Sequence, residues 1–316
     1  MIMPNTARFE TNIAGIQAAA DILRRGGLVA FPTETVYGLG ADAFNDTAVA
    51  GIYAAKGRPS FNPLIAHVAD AEAAQKLCYF DDIADRLAAA FWPGALTMVL
   101  PLRPSAPVSK LVTAGLKTLA VRVPDHPVGV ALLKAFGGPV AAPSANLSGR
   151  ISPTTAAHVL SGLNGKIDGV VDGDACGLGV ESTIVQCGSN PQLLRAGGIP
   201  LEALEACLGQ PLPVAKEGAA LNAPGQLASH YAPIGTMRLN VAEPEAGETY
   251  LGFGPGNAEL TLSAAGDLIE AAANLFQRLH QLDAMGAQRI AVAPIPDRGL
   301  GLAINDRLRR AAAPRD

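Results

Sequence analysis

The sequence lacks the two loops that most often bind nucleotide phosphates. No G-x-x-x-x-G-K-[ST] segment occurs in the 316 residues, and Gly252-Phe-Gly254-Pro-Gly256 fails the G-x-G-x-x-G spacing. These absences exclude a P-loop nucleotidase and the dinucleotide-binding fingerprint. A nucleotide bound by this chain would therefore have to be held by side-chain charge.

Motifs for a structural metal are also absent. The four cysteines (Cys78, Cys176, Cys187 and Cys207) include no C-x-x-C pair, and the five histidines form no H-E-x-x-H pattern. We therefore expect buried thiols and no structural zinc.

Charge and long apolar runs are sparse. Charged residues make up 16% of the chain against 49% hydrophobic residues, which excludes a disordered chain. The net charge of −4 argues against a broad basic face for nucleic acid. The apolar stretch at 87–102 is interrupted by Trp92-Pro93-Gly94 and is shorter than the roughly 20 residues of a spanning helix. No basic segment leads into an apolar one at the N-terminus, so we expect a cytoplasmic protein.

Apolar runs alternate with amphipathic segments over the first 208 residues, which predicts one α/β domain around a buried sheet. The predicted strands are 28–31, 64–68, 96–100, 119–123, 139–142, 169–172 and 182–187. The predicted helices are 13–23, 47–55, 83–91, 127–136 and 153–160.

Composition changes after Leu208. Residues 209–235 are rich in proline and glycine without periodicity, and they are interpreted as a linker. Strands at 237–241, 249–253 and 289–293 with helices at 268–282 and 302–312 predict a small Rossmann-like α/β domain in 236–316. The last helix carries Arg307, Arg309 and Arg310, which we interpret as a solvated face.

Two short motifs suggest phosphate binding. Lys56-Gly57-Arg58 places a point charge and a planar fork of donors at the end of a helix, and Ser144-Ala145-Asn146 follows about ninety residues later. Each has an ordinary structural explanation, because cations complement the C-terminus of a helix and small polar residues form turns.

Other polar side chains follow predicted strands. Thr35, His67 and Arg122 lie at or just beyond apolar runs, and Ser182 opens one. His67 alone would be an ordinary core histidine. No Ser-His-Asp or Cys-His arrangement is evident, so the implied chemistry is positioning and charge neutralisation rather than nucleophilic attack by the protein.

Taken together, these blocks resemble the YrdC-like threonylcarbamoyl-AMP synthases, in their longer two-domain form. The resemblance implies an N-terminal twisted, open, mixed sheet with flanking helices. The matching blocks are Pro32–Gly40, Lys56–Pro63, Phe91–Thr97, Ala120–Pro124, Ala142–Gly149, Glu181–Thr183, Leu194–Gly197, Ser229–Pro233 and Gly299–Arg309.

The resemblance implies a nucleotidyltransferase. L-threonine and bicarbonate, or CO2 derived from it, would give a carbamate that attacks the α-phosphate of ATP, releasing pyrophosphate. The product, threonylcarbamoyl-AMP, would serve the modification of adenosine 37 in tRNA, and other proteins would perform the transfer to tRNA. Mg2+ is expected to accompany ATP.

Site residues are implied by the same resemblance. The family's K-x-R and S-x-N signature falls on Lys56, Arg58, Ser144 and Asn146. The residues implied for ATP are Arg58, Asn62, Thr118, Ser144, Ser152, Arg195 and Tyr231, and those for L-threonine are Thr35, His67, Arg122, Ala142 and Ser182.

The threonine carboxylate would meet Arg122 and His67, and Tyr231 would make the linker a lid over the nucleotide. The sequence departs from the family just before His230, where residues 224–228 carry neither the methionine nor the basic residue expected there.

Two other functions remain open at this stage. One is an RNA-binding translation or ribosome-assembly factor, which the acidic balance disfavours. The other is a different carbamoyl-transfer enzyme, because the same domain occurs in hydrogenase-maturation proteins. Those proteins carry acylphosphatase and zinc-finger segments that this sequence lacks.

Overall fold

The computed structural model describes residues 5–215 and 230–314, which form two β-sheets with flanking helices. The strands of the first sheet are β1 Ala7–Phe9, β2 Val29–Phe31, β3 Gly38–Asp42, β4 Ile65–His67, β5 Leu96–Pro101, β6 Thr118–Arg122, β7 Val140–Ala141, β8 Gly169–Val171, β9 Thr183–Gln186 and β10 Gln192–Arg195. The helices around it are α1 Ile13–Arg24, α2 Asp46–Lys56, α3 Ala71–Leu77, α4 Asp82–Phe91, α5 Lys110–Thr113, α6 Pro127–Phe136, α7 Ala156–Leu163 and α8 Leu201–Leu208.

The first sheet is open and mixed, in the order β1-β8-β2-β3-β7-β4-β6-β5-β9-β10. It contains parallel pairs such as β4 with β6 and antiparallel pairs such as β5 with β6. Its central strands are buried along their length, and helices cover them, as the continuous apolar runs predict. The expected mixed α/β fold is confirmed.

The second sheet has four parallel strands. They are β11 Thr236–Arg238, β12 Thr249–Gly252, β13 Leu260–Thr261 and β14 Arg289–Val292, in the order β11-β14-β12-β13. Helices α9 Leu268–Ala284 and α10 Gly301–Ala312 contribute buried leucine and isoleucine side chains to its core. The expected smaller α/β domain is confirmed.

Gly57 determines how the K-x-R motif leaves its helix. It ends α2 in the left-handed conformation with φ of 60°, where a side chain would be strained. The N–H of Arg58 bonds back to the carbonyl of Tyr53 at 3.0 Å. Lys56 therefore remains on the helix, while Arg58 begins the following loop.

One predicted helix begins too early. The pattern predicted a helix over 153–160, whereas α7 begins at Ala156 behind Thr155, whose side chain accepts from the N–H of His158. The carbonyl of Pro153 bonds instead to the N–H of Tyr37 at 2.9 Å. This pairing, between distant parts of the chain, keeps residue 153 out of the helix.

The prediction of a solvated arginine face is wrong for Arg307, whose side chain is fully buried. Arg307 shares one face of α10 with Ile304, Leu308 and Ala311, which are also buried. The spacing of three, four and seven residues marks this face as the buried one. Arg309 is exposed, as predicted.

The described residues of the predicted linker, 209–215 and 230–235, are bonded to the rest of the chain. Val214 forms a bridge to Leu193, and the backbone N–H of Ala232 donates to the carbonyl of Gly149 at 3.0 Å. Tyr231 is buried between the two sheets' domains, where its ring packs on Phe276. The sequence departure at 224–228 lies outside the described residues.

Candidate functional site

Polar side chains of the expected site surround a cavity of about 50 Å³ on one face of the first sheet. His67 and Arg122 are register partners on the parallel strands β4 and β6, and Ile65, two residues before His67, shares its face. Nine of the expected residues line this cavity: Thr35, Arg58, His67, Arg122, Ala142, Ser144, Ser182, Arg195 and Tyr231.

Lys56 joins the two signature motifs. Its Nζ donates to the carbonyl oxygen of Ser144 at 2.5 Å and also to that of Asn146. Its own carbonyl accepts from the N–H of Ser148 at 2.9 Å. The side chain is buried. Burial, with the nearby charge of Arg58 as a second cause, lowers the pKa of Lys56 well below the usual value. An ammonium has three donors, and the two carbonyls use two of them.

Arg58 and Asn62 carry buried polar atoms without a partner. Arg58 Nη2 donates to the carbonyl of Pro63 at 3.1 Å, but its Nε has no hydrogen-bond partner among the described residues. The side-chain oxygen and nitrogen of Asn62 also have no hydrogen-bond partner among the described residues, and Asn62 is fully buried. An unpaired buried polar atom costs about 1–3 kcal/mol, so these atoms indicate where a polar ligand would bind.

Arg122 is held by three groups, of which Thr35 is an expected site residue and Glu34 and the Gly94 carbonyl are not. Its Nη1 donates to Thr35 Oγ1 at 2.9 Å, its Nη2 to Glu34 Oε1 at 2.6 Å, and its Nε to the carbonyl of Gly94 at 3.2 Å. Each terminal nitrogen carries a second hydrogen. Arg122 can therefore still bind a carboxylate. Glu34 belongs to the Pro32–Gly40 block, but the sequence did not indicate that it pairs with Arg122.

His67 contributes hydrogen bonding rather than charge. Burial, with the charge of Arg122 as a second cause, lowers the pKa of His67 to about 3. The imidazole is therefore neutral near pH 7. A carboxylate bound beside His67 would therefore find its positive partner in Arg122, the register partner of His67, and not in the imidazole.

Ser182 connects the two groups of expected ligand residues. Its hydroxyl lies 2.7 Å from Thr97 Oγ1, and Arg195 Nη2 donates to its carbonyl at 2.7 Å. Arg195 Nη2 also lies 3.2 Å from Ser182 Oγ. Ser182, which is expected to bind threonine, and Arg195, which is expected to bind ATP, are therefore in direct contact.

Five expected residues do not line the cavity: Lys56, Asn62, Thr118, Asn146 and Ser152. Thr118 begins β6, four residues from Arg122, or about 13 Å at the rise of a strand. Ser152 is buried, and its Oγ donates to Glu181 Oε1 at 2.6 Å. The expected residues thus extend beyond the cavity.

His230 and Tyr231 bring the segment after the first domain to the cavity. Both line it and both are buried. The N–H of His230 donates to the carbonyl of Arg310 at 3.1 Å, which ties the segment to α10. Tyr231 adopts φ of 63°, an uncommon conformation for a residue with a side chain. Tyr231 is one of the residues expected from the sequence, whereas His230 and Glu181 are not.

The fold and the site define a two-domain α/β ligand-binding protein whose cations converge on one cavity. A family model described as "Telomere recombination" (Sua5, YciO and YrdC) matches residues 21–197. A model described as "Threonylcarbamoyl-AMP synthase, C-terminal domain" matches residues 199–313. The chain therefore belongs to the threonylcarbamoyl-AMP synthase family, in its two-domain form.

Individual relatives agree with this assignment. The chain is 44% identical to the threonylcarbamoyl-AMP synthase of Bacillus subtilis, over 98% of this chain and 96% of that protein. It is 41% identical to the threonylcarbamoyl-AMP synthase of Pyrococcus abyssi, over 94% of each chain. The crystal structure of P. abyssi Sua5 complexed with L-threonine matches 98% of both chains with a TM-score of 0.89 and 38% identity.

Within the described ranges, no helix is long and apolar enough to cross a membrane.

Proposed function

We propose that the protein synthesises threonylcarbamoyl-AMP from L-threonine, bicarbonate or CO2, and ATP. The observation that carries this proposal is the contact between Arg195 and Ser182, which joins the two expected ligand groups beside one cavity. The family assignment supports the same reaction. An RNA-binding role has no comparable support in the site.

L-threonine would bind at Arg122, Thr35, His67, Ala142 and Ser182. The guanidinium of Arg122 would pair with the carboxylate, because it is the positive group facing this part of the cavity and it retains free hydrogens. Thr35 and neutral His67 would add hydrogen bonds. The apolar Ala142 would lie against the side chain of the amino acid.

ATP would bind at Arg58, Asn62, Thr118, Ser144, Ser152, Arg195 and Tyr231. The buried cations Lys56, Arg58 and Arg195 offset the charge of a triphosphate. Burial lowers the pKa of each. An anion beside them favours their charged forms.

Mg2+ would enter with ATP as part of the substrate. Glu34 and Glu181, the carboxylates beside the cavity, are each paired with an arginine. The ion would therefore be held mainly by phosphate oxygens.

The reaction would proceed in two steps. The threonine amine attacks CO2 to form an N–C bond and loses a proton, which gives a carbamate. A carbamate oxygen then attacks the α-phosphorus, and the bond from that phosphorus to the oxygen bridging the α- and β-phosphates breaks. Pyrophosphate leaves with the bonding electrons. Lys56, Arg58 and Arg195 would lower the repulsion between the two anions, and Lys56 and Asn146 would fix the Ser144 turn.

The product would pass to a separate complex that transfers the threonylcarbamoyl group to adenosine 37 of tRNA. Under this proposal the protein works in the cytoplasm. Residues 1–208 form the catalytic domain, 209–235 the linker and lid, and 236–316 the C-terminal domain.

Replacing Tyr231 with alanine is expected to weaken ATP binding about tenfold while changing threonine binding by less than about threefold. Tyr231 packs against Phe276 on one side and lines the cavity on the other. Burial raises the pKa of its phenol to about 12, so the hydroxyl keeps its proton and can donate to a phosphate. A hydrogen bond to a charged group contributes about 1.5–3 kcal/mol.

Calorimetric titration with ATP and with threonine would measure both affinities. Tyr231→Phe separates the hydroxyl from the ring, and Tyr79→Ala, at an exposed tyrosine, is the control. A larger loss of threonine affinity than of ATP affinity would remove the proposed role of the linker as a lid.

A further inference from the structure

Arg307 is a buried cation that lies in the C-terminal domain and binds the catalytic domain. It belongs to α10, and its side chain is fully buried. Its Nε donates to Glu181 Oε2 at 2.9 Å, and its Nη1 donates to the carbonyl of Ala196 at 2.7 Å. The same Nη1 lies 2.8 Å from Asp306 Oδ2. Nη2 has no hydrogen-bond partner among the described residues, so the bonds of Nε and Nη1 define the position of the guanidinium.

Glu181 extends this contact to a residue of the proposed ATP site. While Oε2 accepts from Arg307, Oε1 accepts from Ser152 Oγ at 2.6 Å. Burial opposes ionisation of Glu181, but the charges of Arg307 and Arg195 and the Ser152 hydrogen bond lower its pKa overall. The carboxylate therefore accepts the hydrogen bond that the one hydroxyl hydrogen of Ser152 can donate. A ligand group that meets the Ser152 oxygen must then be a donor, such as a ribose hydroxyl or the adenine amino group.

Arg307 also lies beside two other residues proposed to bind ATP, Arg195 and Tyr231. Ala196 directly follows Arg195, so the bond to its carbonyl fixes the backbone next to that cation. The guanidinium of Arg307 lies 5.5 Å from the ring centroid of Tyr231. One side chain thus bonds to the backbone just after β10 and to the carboxylate before Ser182, and lies beside the ring of Tyr231.

We propose that Arg307 is a positioning residue for the nucleotide half of the site, and that the C-terminal domain completes the ATP site through it. The inference rests on the proposed binding of ATP and threonine. Within the described structure, the contacts of Arg307 lead to Ser152, Arg195 and Tyr231, while Arg122 is held by Glu34, Thr35 and Gly94. Loss of Arg307 should therefore affect ATP more than threonine.

Steady-state kinetics of the full chain would test this. Arg307→Met is expected to raise the KM for ATP about tenfold or more and to change the KM for threonine by less than about threefold. The reason is that the variant loses the charge-assisted hydrogen bond to Glu181, which in turn binds Ser152. Arg307→Lys keeps the charge beside Glu181 but lacks the fork of donors. Arg307→Lys should give a KM for ATP between those of the wild type and Arg307→Met. If Arg307→Met does not fold, the comparison of Arg307→Lys with the wild type provides the test.

Two further variants sharpen the test. Arg309→Ala removes an exposed arginine from the same helix and should leave both KM values unchanged. If the effect passes through Glu181 and Ser152, Arg307→Met combined with Ser152→Ala should raise the KM for ATP by less than the product of the separate effects.

Three results would overturn the inference: equal changes in both KM values, a lower folded fraction with unchanged KM values, or a lysine variant no better than methionine. A wild-type protein that does not bind ATP would instead contradict the proposed function, so the two failures are distinguishable.

Discussion

The Lys56→Ala and Arg58→Ala variants are each expected to release pyrophosphate at about 1% of the wild-type rate or less. Both side chains are buried at the proposed ATP site. Removing one preorganised donor to developing charge costs roughly 10²–10³ in rate in such sites. Arg58 also has an Nε that no described residue satisfies. Initial rates with saturating ATP, bicarbonate and threonine would measure the loss.

Stability must be measured beside activity, because Lys56 holds two backbone carbonyls. Leaving them unpaired is expected to cost about 1–3 kcal/mol of unfolding free energy. Arg58 bonds to one carbonyl and should cost less. Lys76→Ala removes a lysine that is exposed and paired with Glu72, and it should change neither quantity. Wild-type turnover by a folded Arg58→Ala protein would contradict the proposed charge neutralisation.

The Arg122→Lys variant is expected to raise the KM for threonine about a hundredfold while leaving the KM for ATP within about threefold. Lysine keeps the charge but cannot bind Thr35, Glu34 and a carboxylate with one planar fork. Since His67 is neutral, it supplies no charge to replace the lost contact. Rates measured over a range of threonine concentrations at fixed ATP would give the KM.

Two controls separate substrate binding from the salt bridge. Glu34→Gln keeps a hydrogen-bond acceptor beside Arg122 but removes the negative charge, so threonine should bind at least as well as in the wild type. Arg8→Ala breaks an exposed ion pair with Asp172 and should have no effect. An equal rise in both KM values for Arg122→Lys would show that the change is a general disturbance of the site.

Local patterns predicted much of the fold. The helix α6 begins and ends as predicted, at Pro127 and Phe136, because proline suits a first helical turn and Gly137 ends the helix in the left-handed conformation. The strand β3 was missed because Gly38, Leu39 and Gly40 show no strand pattern. It forms only through pairing with β2 and β7.

The site was predictable as a set of residues but not as a set of contacts. The motifs around Lys56 and Ser144 could be recognised along the chain, whereas the bond between them spans 88 residues. The pairing of Glu181 with Arg307 spans 126 residues. The first pair depends on the packing within the N-terminal domain and the second on the packing of the two domains, so no local pattern reveals them. The apolar spacing around Arg307 did indicate its burial, but not its partner.

The central claim is that this site couples ATP to threonine. Its most direct test is pyrophosphate release by the wild-type protein with ATP and bicarbonate, measured with threonine, with serine and without an amino acid. We predict release that depends on threonine, is slower with serine and is accompanied by a product with the mass of threonylcarbamoyl-AMP. Release that does not depend on threonine, or no release at all, would contradict the account.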